Sequence, residues 1–157
     1  MRDNARLVEW GILGVLILAL LGIFGRQVRV VQGQTELAAL QSTLGALRTA
    51  LVLEHLRHTV AGDAKSVAAP QRNPFLLLST VPPNYAGERA VLKTESTAPG
   101  SWVFDPVCSC VGYVLRYPAL LDSPADLPAL WFSVKGSNAP FSISANETYV
   151  WQGQVVN

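Results

Sequence analysis

From Trp10 to Gly25 the chain reads WGILGVLILALLGIFG, without one charged or strongly polar side chain. A helix built from this run is apolar all the way round. A helix on the surface of a soluble domain keeps one polar face, so the run suits lipid better than a globular surface. It is slightly short of the roughly 20 residues that cross a bilayer. Leu7 and Val8 lengthen it at one end if Glu9 is carried inside. Half of the residues in the chain are hydrophobic and only 15% are charged. Much of the resulting mean hydropathy of +0.28 is concentrated in this run.

A cleaved secretory signal is one alternative, but it would need a small-residue cleavage site after the apolar stretch. Here the run leads into Gly25-Arg26-Gln27-Val28-Arg29, with no A-x-A pattern. A buried soluble helix is another alternative, and an all-apolar helix needs a larger domain to hide it. The favoured reading is a retained single-pass anchor. Its orientation is not set by flanking charge, because Arg2 and Arg6 precede the span while Arg26 and Arg29 follow it.

After the anchor the apolar pattern narrows to a stripe. Leu37, Leu40, Leu44, Leu47 and Leu51 follow a 3-4-3-4 spacing, with Leu56 and Val60 assigned to a helical face beyond them. Residues between them, such as Gln41, Arg48, Glu54 and Arg57, are polar or charged. No proline occurs before Pro70, and Gly62-Asp63 supplies the stop. The pattern predicts one helix from about Leu7 to Ala61, on the order of 80 Å long at 1.5 Å per residue. A separate short coiled coil joined to the anchor is the alternative.

Beyond Pro70 the chain alternates prolines with short runs rich in Val, Ile, Tyr, Phe and Trp. Strands are predicted at 101–104, 111–117, 129–134, 141–144 and 148–152. The first two are close enough to pair as a hairpin through Asp105-Pro106 and residues 107–110. One face of this antiparallel sheet would bury the leucine stripe, giving an α+β fold. Trp102, Trp131 and Trp151, with Phe104, Tyr113, Phe132 and Tyr149, read as sheet core and cross-strand pairs.

Little in the chain points to catalysis. Both histidines, His55 and His58, lie within one helical turn beside Glu54, without the H-E-x-x-H arrangement of a metal-assisted hydrolase. They read as a solvated helix face. No G-x-S-x-G elbow and no phosphate-binding glycine loop occurs. A net charge of +1 gives no reason to expect nucleic acid. We therefore expect a non-enzymatic protein with no catalytic residue, cofactor, metal or small-molecule substrate. Cys108 and Cys110 are the only cysteines. They are either two small apolar residues near a turn or a disulfide closing a tight i, i+2 ring.

In combination these features resemble the type IV pilin and pseudopilin family, minor pilins of Gram-negative bacteria in particular. The resemblance covers nearly the whole chain in architecture. In sequence it rests on a few phrases: Ala5-Arg6-Leu7-Val8-Glu9 before the apolar run, Asn73-Pro74-Phe75, Pro82-Pro83-Asn84-Tyr85, Pro99-Gly100 with Ser101-Trp102-Val103-Phe104-Asp105, and Val114-Leu115-Arg116-Tyr117-Pro118. Glu9 is similar in position to the family's assembly glutamate, which neutralises a neighbouring subunit's N-terminal amine. Otherwise Glu9 is an interfacial residue or a partner for Arg6. The family's leader ends in glycine before a first mature residue that is usually aromatic. Here Asn4 and Ala5 stand at those places.

The resemblance implies a cytoplasmic N-terminal segment (1–6), a transmembrane part (7–25), an amphipathic continuation (26–61) and a periplasmic region of loops and sheet (62–157). It implies an inner-membrane protein whose partners are other pilin or pseudopilin subunits, the assembly machinery and the bilayer. A rival reading is a membrane-tethered periplasmic adaptor of a secretion or envelope complex, binding a partner helix through the leucine stripe and never entering a filament.

Overall fold

The computed structural model describes residues 2–60, 73–89, 97–124, 127–136 and 141–156, and the side chains of these from residue 9 onward. It has a long N-terminal helix, α1 (Arg2–Val60), and then short strands, an α+β layout. The predicted stop at Gly62-Asp63 lies outside the described residues. By its internal contacts the chain divides into two compact units, Met1–Thr35 and Glu36–Asn157.

The first unit is helical. Nothing in it breaks the helix, since no proline interrupts the backbone hydrogen bonds and the leucines favour helix. Thr35 returns its hydroxyl to the Val31 carbonyl at 2.9 Å, which satisfies the side chain without leaving the helix.

The second unit places the remainder of α1 on a mostly antiparallel sheet. The strands are β1 (Tyr85–Glu88), β2 (Trp102–Asp105), β3 (Cys110–Val114), β4 (Leu121–Ser123), β5 (Ala129–Lys135), β6 (Ser142–Ala145), β7 (Tyr149–Trp151) and β8 (Gln154–Val156). A five-stranded sheet runs in the order β1-β2-β3-β5-β6, and a three-stranded sheet runs β4-β7-β8. Among the described strands only the β1–β2 pairing is parallel. The predicted hairpin is β2–β3, with Trp102 opposite Tyr113 and Asp105 opposite Cys110.

Period-2 alternation decides what faces the helix. Trp102 and Phe104 of β2, Val111 and Tyr113 of β3, Leu130, Phe132 and Val134 of β5, and Ile143 of β6 all enter one core cluster. Leu37, Leu40, Leu44, Leu47 and Leu51 fill that cluster from the helix side, each almost fully buried. Burying a leucine contributes about 2 kcal/mol, so this seam is the main force holding helix to sheet. On the opposite face the Trp131 ring covers Gly112, its register partner. A Cβ built at Gly112 would lie 2.6 Å from that ring, so only glycine fits there. Tyr149 ties the two sheets together: it accepts from the Trp131 N–H at 3.0 Å and sits 3.2 Å from the Trp131 carbonyl.

The leucine stripe stops earlier than its spacing suggests. Leu56 and Val60 are exposed. Continuing the 3-4 spacing from Leu51 lands on Glu54, His55 and His58, which are half-buried rather than fully solvated. His55 meets Phe141 edge-on at 5.2 Å, and Glu54 pairs with Arg57 at 3.5 Å and His58 at 3.3 Å. The same face therefore continues, but in polar residues.

Candidate functional site

Among the described residues, one helix is long and apolar enough to cross a membrane. In its apolar window no residue is buried, and Leu18 stays 70% exposed. A row of bare Leu, Ile, Val and Phe side chains of this length is unfavourable in water. A lipid environment would remove that cost.

Small residues in the run are arranged on one side. At 3.6 residues per turn, Gly11, Gly14, Gly22 and Gly25 fall within about 80° of one another, with Leu18 between them. A Cβ at any of the four would meet nothing within 4 Å. Nothing among the described residues therefore requires glycine at these positions, although each costs the helix about 1 kcal/mol relative to alanine. In membranes such residues let a second helix approach closely. Gly11, Ile12, Val15, Leu16 and Ala19 line a shallow open depression on the same segment. Glu9 is exposed just before the apolar run. The side chain of Arg6, its expected intramolecular partner, lies outside the described ones.

In the second unit, a carboxylate that spacing did not single out is built into the seam. Glu36 is buried, and its Oε1 accepts from the Tyr113 hydroxyl at 3.0 Å and from the Arg116 backbone N–H at 2.7 Å. Its Oε2 has no hydrogen-bond partner among the described residues. Burial raises the Tyr113 hydroxyl above the ordinary tyrosine value, and the neighbouring Glu36 carboxylate pushes it further the same way. The signal was present in the sequence: Glu36 lies four residues before Leu40, on the face of the stripe. Burial also raises Tyr85 and Tyr149.

The strand side is braced by local hydrogen bonds. Asn73 accepts from the Phe75 N–H at 3.0 Å while its amide reaches Tyr85 and Glu88. The Asn84 amide donates to the Gly100 carbonyl at 2.7 Å. The Pro-rich phrases at 73–75 and 82–85 thus serve as corners that set β1 beside β2. Cys108 and Cys110 are joined as a disulfide in the β2–β3 turn. Among the described residues no group of three His, Cys, Asp or Glu side chains could hold a metal ion.

No protein-family model, curated protein or solved structure matches the chain.

Proposed function

We propose that the chain is a minor pilin-like or pseudopilin-like subunit without enzymatic activity. Its apolar helix stores it in the inner membrane, with the sheet unit in the periplasm. On assembly into a type IV pilus or a type II secretion pseudopilus, the same helix packs against those of neighbouring subunits. The observation that carries this reading is the glycine seam at 11, 14, 22 and 25, which has open space around it and makes no close contact among the described residues. The second support is the Leu37–Leu51 seam, which fastens the sheet to the helix. Glu9 is exposed just before the apolar run, where a carboxylate is costly unless it meets a positive charge.

A membrane-tethered periplasmic adaptor is the second reading, favoured by Asn4 at the position of the leader glycine. Full burial of the leucine stripe removes that surface from partner binding, so an adaptor would have to use another face. Mass spectrometry of the mature N-terminus separates the two. An N-methylated Ala5 is expected for a filament subunit, and a retained Met1 would overturn pilin processing. A Gly14→Leu, Gly22→Leu double variant is expected to insert normally and to lose incorporation into sheared filaments.

A further inference from the structure

We propose that Cys108–Cys110 is an exchangeable disulfide, exposed at the tip of the β2–β3 hairpin, that accepts electrons from a dithiol on another exported protein. This inference stands apart from the filament reading, because it requires only that the hairpin face an oxidising compartment.

The pair is poorly placed to act as a staple. Its sequence separation is 2, and the chain entropy removed by a disulfide shrinks with the loop it closes. The turn is also held without it. Asp105 and Cys110 already pair as the last rung of β2–β3. The Val107 N–H donates to Asp105 Oδ1 at 2.8 Å, and the Val134 N–H donates to the Ser109 carbonyl at 3.2 Å. Every backbone anchor of the turn thus survives opening of the sulfur–sulfur bond.

The two sulfurs are unequal. Cys108 is exposed, beside a Val107 that is 87% exposed, whereas Cys110 is 4% exposed within the sheet. An incoming thiolate therefore reaches Cys108 and makes Cys110 the leaving group. In the first step the partner's thiolate bonds to Cys108 Sγ as the Cys108–Cys110 bond breaks. The electron pair departs on Cys110 Sγ, which takes a proton from water. Ser133 Oγ lies 3.9 Å from that sulfur, a hydroxyl within reach of the new thiolate. In the second step the partner's other thiolate attacks its own sulfur in the mixed disulfide and releases Cys108, which is also protonated by water. The partner loses two electrons and the hairpin gains two.

Reduced glutathione is a sufficient probe, applied to the full chain in detergent with thiols counted by maleimide mass tagging. Both thiols are expected to appear under native conditions, with the circular dichroism spectrum and the urea midpoint unchanged. Glutathione disulfide should close the pair again. Against glutathione disulfide, Cys110→Ser is expected to take up glutathione on Cys108 at least roughly tenfold faster than Cys108→Ser does on Cys110. Resistance to glutathione until the chain is unfolded would overturn the proposal. So would a midpoint lowered by reduction, a pair that glutathione disulfide cannot close, or equal rates in the two variants.

Discussion

Two stretches of one helix carry leucines at similar density and treat them in opposite ways. Between Leu37 and Leu51 the leucines lie on one stripe, and Leu44 is 0% exposed against the sheet. Between Trp10 and Gly25 they lie on every side, and Leu18 is 70% exposed. Leucine content is therefore not the distinguishing property. The distinction lies in whether polar residues occupy the opposite face, which directs one stretch toward a protein core and leaves the other apolar enough all round to cross a membrane.

Variants that exchange the demands of the two stretches test this contrast, and the largest effect is expected in the seam. Leu44→Ala should lower the stability of the sheet unit by about 2–5 kcal/mol, read from urea unfolding followed by tryptophan fluorescence. Leu18→Ala should change the same reading by less than about 0.5 kcal/mol. The reverse demand is tested by Leu18→Arg, which should cost membrane insertion about 3 kcal/mol and leave the sheet unit folded. A smaller loss is expected from Glu36→Ala, about 2 kcal/mol, because it strands the buried Tyr113 hydroxyl and the Arg116 N–H together. Tyr113→Phe should cost less, since the carboxylate keeps one donor.

Alkaline titration sharpens the contrast without mutation. Tyr85, Tyr113 and Tyr149 all have raised values, so the fold favours their protonated forms. The stability they contribute is complete below the ordinary tyrosine value of about 10 and is lost as pH climbs through the higher folded values. Urea midpoints measured across that range should fall for the sheet unit, while membrane insertion stays constant. The smallest effect is expected where the seam ends. Glu54→Gln weakens its pairs with Arg57 and His58 and should cost only about 0.3–0.5 kcal/mol.

Most of the fold was legible in periodicity. The leucine stripe announced the helix face that is buried, and the β-branched and aromatic runs located β2, β3, β5, β6 and β7. The strands that went unpredicted are short, and two of them rely on long-range pairing. Tyr85–Glu88 is a parallel edge strand with Gly87 at φ +91°, so alternation does not show in it. Leu121–Ser123 offers a single buried side chain. Gln154–Val156 could have been found, because Gln152 and Gly153 both take positive φ in a two-residue hairpin turn and a glycine there is its usual mark.

At the candidate site, Glu9 and the apolar run were visible from residue type alone, whereas the open space around the glycines at 11, 14, 22 and 25 is seen only in the structure. Glu36, though on the face of the stripe, went unread for a different reason. A charge on a stripe position normally marks the end of the stripe, and here its burial depends on Tyr113, which is 77 residues away in sequence.

Quenching of tryptophan fluorescence by bilayers with brominated acyl chains most directly tests the proposal that the first segment faces lipid while the sheet unit stays outside the bilayer. Trp10 is exposed at the start of the apolar run, while Trp102 and Trp151 are buried in the sheet unit. Brominated lipid should quench the full chain in part, and Trp10→Phe should abolish that quenching. Quenching that persists in Trp10→Phe, or that is absent from the unaltered chain, would contradict the assignment of the first segment to lipid.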